Sequence, residues 1–363
     1  MDSFAFIIHP IDPKRDVSRK YPLLGRMLSK ELISFFSTFF PPVYLSEIEG
    51  IRSEATQKAV RGWLIACPLT PERMISLPEK TAYRKIIQAG RVAEKLGANL
   101  LGLGAFTSVI GDGGVTVADS LRIPVTTGDA YTVAVAVQAL EEAGALMDIQ
   151  LSNACAAVVG ATGAIGQVCA ELLAARAAEL TLIGRRQTAL EELRQRLIAS
   201  GAKAAIHIAT DTGALRNSQL VLTVSSAIDT VIEPGDLRPG SVICDVARPR
   251  DVSANVAETR KDVLVIDGGI VDVPGRAKFN FDFGLPEGKT YACMAETIAL
   301  ALEGRFESYS LGKHITRQQV EEIDTIAKKH GFRLSGFRSF EQEISVEHIR
   351  QIKERATPDV PRG

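Results

Sequence analysis

The sequence predicts an α/β protein of two domains, the second built on a parallel sheet wound on both faces. Three observations carry this. The chain has 363 residues, room for two separate cores. Short apolar runs recur at 155–159, 180–183, 205–208, 220–224, 241–245 and 263–267, and helical patterns at 164–179 and 188–200 alternate with the first of them. Strands alternating with helices at this spacing specify a parallel sheet, and Pro234-Gly235 and Pro239-Gly240 supply turns between later runs. Finally, the loop Gly160-Ala161-Thr162-Gly163-Ala164-Ile165-Gly166 lies between the first strand-like run and the first helix.

That setting turns a weak glycine pattern into a dinucleotide-binding one of Rossmann-like type. Gly160 permits the tight turn, Gly163 lets backbone amides approach a pyrophosphate, and Gly166 lets helix and strand pack closely. The helix start adds oriented N–H groups and a favourable dipole. In NAD enzymes the second strand ends in an acid that binds the ribose 2′-hydroxyl. Here the matching stretch is Ile183-Gly184-Arg185-Arg186. Two permanently charged, planar guanidiniums suit a 2′-phosphate, so the expected cofactor is NADP(H), with Ser225 grouped among its contacts.

The expected division is an N-terminal α/β substrate domain over 1–127, a linker helix over 128–147, the nucleotide domain over 148–288, and a C-terminal helical segment over 289–363. The linker reads as one amphipathic helix. In the first domain, 4–8, 62–66 and 100–103 read as strands and 80–96 as a helix. The later helices, 290–302 and 316–330, are stopped by Gly304 and Gly331. The tail ends Thr-Pro-Asp-Val-Pro-Arg-Gly, and its last residues are expected to be loose.

Composition removes several classes of function. A net charge of −1 provides no field for a nucleic-acid backbone. Five scattered cysteines with no CxxC pair signal neither a disulfide framework nor a zinc site, and the five histidines show no HxxxH spacing, so no metal is expected. The N-terminus lacks the pattern of a signal peptide, and the location expected is cytoplasmic. Phe35, Phe36, Phe39 and Phe40 fall within six residues. Their plain reading is a buried helix or strand, and the competing one a lipid-facing or acyl-binding patch.

Several stretches resemble the cyanobacterial long-chain fatty acyl-(acyl-carrier-protein) reductases that form fatty aldehydes. They are Arg15-Asp-Val-Ser-Arg19, Tyr83-Arg-Lys85, Leu103-Gly-Ala-Phe-Thr-Ser-Val109, Thr126-Thr-Gly128, Val158-Val-Gly-Ala-Thr-Gly163, Asp267-Gly-Gly269, Tyr291-Ala-Cys-Met-Ala-Glu296 and Lys329-His-Gly-Phe332. The similarity runs through nearly the whole chain in the same order. It implies NADPH-dependent reduction of an acyl thioester, carried by acyl carrier protein or coenzyme A, with a cysteine holding the acyl group. The matching position is Cys293. An aldehyde-consuming enzyme and a membrane surface are further implied contacts. Asp129 departs from the family's Thr-Thr-Gly-Asn.

Cys293 by itself is one cysteine of five, and a cysteine is more often a small buried hydrophobe than a nucleophile. Its place in the first turn of a helix predicts a lowered thiol pKa. Cys67 is the rival. His9 is the first candidate for moving a proton, with Thr107 and Ser108 behind it. His330 reads as a cationic helix terminus, and Tyr83, Arg84 and Lys85 as a solvated helix face. Two other readings stay open. One is an oxidoreductase like shikimate dehydrogenase or glutamyl-tRNA reductase, the latter suggested by Cys244-Asp-Val-Ala-Arg-Pro-Arg250. The other is a non-catalytic NADP-binding sensor.

Overall fold

Apolar side chains fill the six strands between Cys155 and Asp267. In the computed structural model these strands form one parallel sheet. The structure describes residues 1–10, 12–227 and 230–356. In spatial order the strands are Leu264–Asp267, Val242–Asp245, Leu220–Thr223, Cys155–Val159, Glu179–Ile183 and Ala205–Ala209. The chain starts at the fourth position, moves outward to one edge and then returns to build the other. That reversal beside Cys155–Val159 is the topological switch point of a doubly wound sheet, where ligands bind at the carboxyl ends of strands. The central strands are buried throughout, as parallel strands covered on both faces must be. The edge strand Ala205–Ala209 is partly exposed, and its His207 reaches Glu179 on the neighbouring strand at 3.2 Å.

The chain divides into two units, Met1–Thr132 with Ile270–Arg333, and Val133–Gly269 with the chain from Leu334 onward. The sequence reading grouped 289–363 as one segment and carried the nucleotide domain to 288. Instead, Gly275–Lys278 pairs antiparallel with Val43–Arg52 at the edge of the first unit's sheet. The helix Asp129–Leu146 spans the boundary. It is not amphipathic: Ala130, Tyr131, Val133, Val135, Ala136, Val137, Leu140 and Ala143 are all buried, which leaves little of its circumference polar. Helix Val346–Ala356, absent from the sequence reading, buries Ile349 and Ile352. The loose ending expected for the tail lies outside the described residues.

The first unit has its own six-stranded mixed sheet, in the order Gly275–Lys278, Val43–Arg52, Ala59–Ala66, Ser3–Ile8, Leu101–Leu103 and Val125–Thr126. The last four run parallel, so their carboxyl ends share one edge. Strand Val43–Arg52 escaped the sequence reading because its alternation is broken. The register shifts between Ile48 and Ile51, and Gly50, at φ +77°, lies against the Arg276 carbonyl. No helix among the described residues is long and apolar enough to cross a membrane.

Helix Ala292–Glu303 packs on this sheet and is the most deeply buried helix of the unit, with ten of its twelve residues buried. It approaches so closely that a Cβ on Gly102 would stand 2.2 Å from Thr297 Oγ1 and 2.3 Å from the Phe6 ring. Gly304 (φ +78°) ends the helix and Gly331 (φ +102°) ends Arg317–His330, both in the left-handed region where glycine carries no Cβ penalty. His330 is not the cationic terminus its position suggested. It is fully buried, with Nδ1 2.8 Å from Ser53 Oγ and Nε2 2.7 Å from Glu303, and burial lowers its pKa.

The Gly102 contact is testable. Gly102→Ala must displace Phe6 or helix Ala292–Glu303, and overpacking of this kind costs about 1–3 kcal/mol. A lowered urea midpoint is the expected result. Gly97→Ala supplies the contrast: its side chain meets open space, and its cost is the strain of a left-handed φ of +85° alone.

Candidate functional site

In the second unit the glycine loop is built as its spacing requires. Gly160 has φ +80° and its amide donates to the Ile183 carbonyl at 2.9 Å, as Ala161 does at 3.1 Å. A Cβ on Gly160 would meet the Ser225 backbone at 2.9 Å, and one on Gly166 would stand 2.2 Å from the Gly160 carbonyl oxygen. Only glycine fits either place. Helix Ala164–Ala174 begins at Gly163 with no side chain capping it. Its first amides, from Ala164, Ile165 and Gly166, therefore remain available to an anion. Thr162 is part of the same turn, where the Gln167 side chain holds its carbonyl at 3.0 Å.

Arg185 and Arg186 follow strand Glu179–Ile183 and are exposed, with Arg186 preceding helix Gln187–Ala199. Neither guanidinium is engaged by another side chain among the described residues. Ser225 lies beside Gly160, but its hydroxyl is committed to Asp251. That carboxylate is fully buried and accepts from Ser225 N at 2.9 Å and from the Ser225 and Thr223 hydroxyls. Asp251 thus fixes the turn after strand Leu220–Thr223. Asp245, also fully buried, accepts from the amides of Ala247 and Val252, both at 3.1 Å.

In the first unit, Cys293 lies in the first turn of helix Ala292–Glu303, half-buried. Gly128 presses against it: a Cβ there would lie 2.2 Å from Cys293 Cα and 2.4 Å from its Cβ. Glu296, one turn further along and fully buried, accepts from Tyr131 N at 2.9 Å and from the Thr126 hydroxyl. Burial pushes Glu296 above the usual carboxylate range. Asp129 follows Gly128, and burial, then the Glu296 charge, raise it to about 8.

These carboxylates correct the expectation for the thiol. Burial, then Asp129, push Cys293 up to about 12, against opposing hydrogen bonds from backbone amides including that of Met294. The helix start does act in the predicted direction, but desolvation and two nearby acids outweigh it. Cys67, the rival, is fully buried and raised to about 11 by that burial.

His9 is occupied at both ring nitrogens. Nε2 accepts from the Phe106 amide at 3.0 Å, and Nδ1 lies 3.2 Å from the Pro10 carbonyl. Burial lowers its pKa to about 4, so the ring is neutral and ties two strand ends together. Thr107 and Ser108 are likewise bonded locally, to Gly104 O at 2.8 Å and Ala105 O at 2.7 Å. Lys85 is not part of a solvated face: it is buried and donates to the Phe40 carbonyl at 2.7 Å.

Comparison with known proteins bears on these two centres. A long-chain acyl-[acyl-carrier-protein] reductase from Synechococcus elongatus is 30% identical over 348 residues, covering 91% of this chain and 98% of its own length. The chain belongs to the long-chain acyl-(acyl-carrier-protein) reductase family. It is therefore an enzyme, with the NAD(P)-binding fold of an oxidoreductase. Aminotransferase PigE from a Serratia strain is 31% identical over 304 residues, 83% of this chain, but the chain spans only 35% of that longer protein. A family model for shikimate / quinate 5-dehydrogenase matches residues 141–268. Among solved structures, L-tryptophan dehydrogenase from Nostoc punctiforme is similar at TM-score 0.40 and 11% identity, over 98% of this chain and 88% of that one. Quinate dehydrogenase from Corynebacterium glutamicum stands at TM-score 0.35 and 10% identity, over 98% and 99%. Likenesses this distant carry no functional weight.

Of the residues around Cys293, Glu296 closes the motif Tyr291-Ala-Cys-Met-Ala-Glu296 but receives no role from the sequence alone. Its signal was a lone acid within the apolar run Ala292–Leu302, where a buried charge demands partners. Asp251 carried no such signal, since its partners Thr223 and Ser225 are distant in sequence.

A pH dependence of stability follows. A carboxyl held at about 8 in the fold and near about 4 when unfolded keeps its proton only in the folded state. The stabilisation is complete below the unfolded value and is lost as pH rises through the folded one. Glu296 contributes with the same sign. The melting temperature should fall between about pH 5.5 and about pH 8, and Asp129→Asn should flatten that slope. An unchanged slope in the variant would exclude the assignment.

Proposed function

We propose that this enzyme uses NADPH to reduce a long-chain acyl thioester to a fatty aldehyde, through a covalent thioester on Cys293. The observation that carries this reading is Cys293 itself, set in the first turn of a buried helix between Gly128 and two carboxyl groups. The relative from Synechococcus elongatus, named for reduction of long-chain acyl-acyl-carrier-protein, supports the substrate class. The shikimate / quinate match falls on residues 141–268 and so does not speak for the chemistry at Cys293.

A thiol at about 12 does not ionise unaided near neutrality, so attack requires a base. Asp129, at about 8, is ionised in a minor fraction of molecules near neutrality, and in that ionised form it takes the thiol proton as Sγ bonds to the acyl carbonyl carbon. The carbon–sulfur bond to the carrier then breaks, and the carrier thiolate leaves with that proton. Helix Ala292–Glu303 has no side-chain cap, and amides of its first turn stabilise the developing oxyanion. NADPH, when bound at Gly160–Gly166, supplies the hydride for the carbonyl carbon. Loss of Sγ from the reduced carbon releases the aldehyde, and Cys293 regains a proton through Asp129. For the alkyl chain, an aromatic path runs from Tyr291, two residues before Cys293, to Phe283 at 6.3 Å and on to Phe279 at 5.0 Å. Phe279, Phe281, Phe283, Leu285 and Pro286 line a hollow there, together with Lys278, Asn280 and Glu287. Contact with the aromatic walls is worth about 0.8 kcal/mol for each methylene it removes from water.

The nucleotide preference rests on Arg185 and Arg186, exposed and uncommitted where a 2′-phosphate would lie. Two experiments test the reading. Cys293→Ala should abolish both aldehyde formation and retention of a radiolabelled acyl group after denaturation. Equal labelling of wild type and variant would remove Cys293 from its role. Arg185→Asp with Arg186→Ser should lower the NADPH-to-NADH ratio of kcat/KM by about 100-fold, two lost charge-assisted contacts. An unchanged ratio would exclude the pair.

A further inference from the structure

We propose that helices Pro22–Met27 and Lys30–Ser37, with the turn carrying Phe39 and Phe40, form a docking face for an anionic lipid surface. The inference stands on the surface alone and does not depend on the proposed reaction. The segment has inverted polarity. Three of its hydroxyl side chains point into the unit: Ser37 is buried, Ser34 Oγ bonds Thr70 Oγ1 at 3.1 Å, and Thr38 Oγ1 accepts from Arg73 at 3.1 and 3.0 Å. The Phe40 carbonyl is held by buried Lys85 at 2.7 Å. Ile33 is the buried apolar residue of the second helix.

The apolar side chains face out. Phe35, Phe36, Phe39 and Phe40 are 52%, 42%, 69% and 52% exposed, although the Phe35 ring touches Phe36 at 5.4 Å and Phe39 at 5.7 Å. In the first helix Leu23 and Met27, four residues apart and so on one face, are 73% and 80% exposed. Four half-exposed phenylalanines, each with about 200 Å² of surface, already make a patch of several hundred Å².

Charge selects the occupant. Residues 13–40 contain Lys14, Arg15, Arg19, Lys20, Arg26 and Lys30 against Asp16 and Glu31, a net +4 in a chain whose total is −1. Arg15 and Arg19 pair in part with Asp16, which leaves the segment cationic still. Outward aromatics in a segment of net positive charge match a bilayer interface with anionic headgroups, where rings enter the acyl boundary and cations stay at the phosphates.

The test is sedimentation of the full chain with extruded vesicles of phosphatidylcholine alone, or with about 30% phosphatidylglycerol. The anionic vesicles should retain at least about fivefold more protein, and high salt should reduce this. Phe35→Ser with Phe39→Ser should cut binding by about tenfold or more, with an unchanged circular dichroism spectrum because both rings are exposed. Protein left in the supernatant with anionic vesicles, or full binding by the double variant, overturns the proposal. So does a dimer that the double variant dissolves without any vesicle binding, which would assign the face to a second copy. Binding to an acidic carrier protein alone, lost in the double variant, would equally overturn it in favour of a protein partner.

Discussion

The close seating of helix Ala292–Glu303 on the first unit's sheet is the constraint from which much of that unit follows. Two glycines make it possible, Gly102 in the sheet and Gly128 in the loop after it, and each would collide with the helix if it carried a Cβ. So near an approach buries Glu296, and a buried carboxylate must find donors. It finds the Thr126 hydroxyl and the Tyr131 amide, one on either side of Gly128. The loop that grips Cys293 is therefore held by the same acid that the helix burial forces inward. Packing, hydrogen bonding and the environment of the thiol are here one arrangement.

Similar logic governs the nucleotide-binding unit. The turn after Leu220–Thr223 must pass within contact of Gly160, and it is fixed by three donations into the buried carboxylate of Asp251. A charge in that position is costly unless fully bonded, and bonding it gives the turn one conformation. The amides at the start of helix Ala164–Ala174, by contrast, are left without a side-chain cap. Rigid support around open donors is what a phosphate-binding site requires, because the ordering is done before the ligand arrives.

Burial also changes the chemistry of groups whose positions looked familiar. A cysteine at a helix start and a histidine at a helix end are ordinarily stabilised as ions by the dipole. Cys293 and His330 are both shifted towards their neutral forms, since desolvation outweighs it. His9 is kept neutral by the same cause, and works as a tie between strand ends. For the four phenylalanines the outcome is opposite. Composition argued for a core, and the neighbouring serines and threonine found partners inside, which turned the rings outward.

Local rules decided much of this protein. The parallel sheet was legible because each strand is a short apolar run, and the glycine loop because Gly160 and Gly166 each answer a separate steric demand. Helix ends at Gly304 and Gly331 were legible because only glycine reaches the left-handed conformation without strain. Those features depend on neighbours in sequence. Strand Val43–Arg52 was hidden by a bulge at Gly50, and the return of Gly275–Lys278 to the first sheet was hidden because pairing across more than two hundred residues leaves no local pattern. The protonation of Cys293, the roles of Glu296 and Asp251, and the exposure of Phe35 and Phe39 were decided only by tertiary structure. Each depends on desolvation and partners brought from elsewhere in the chain, and these come into being only when the chain has folded.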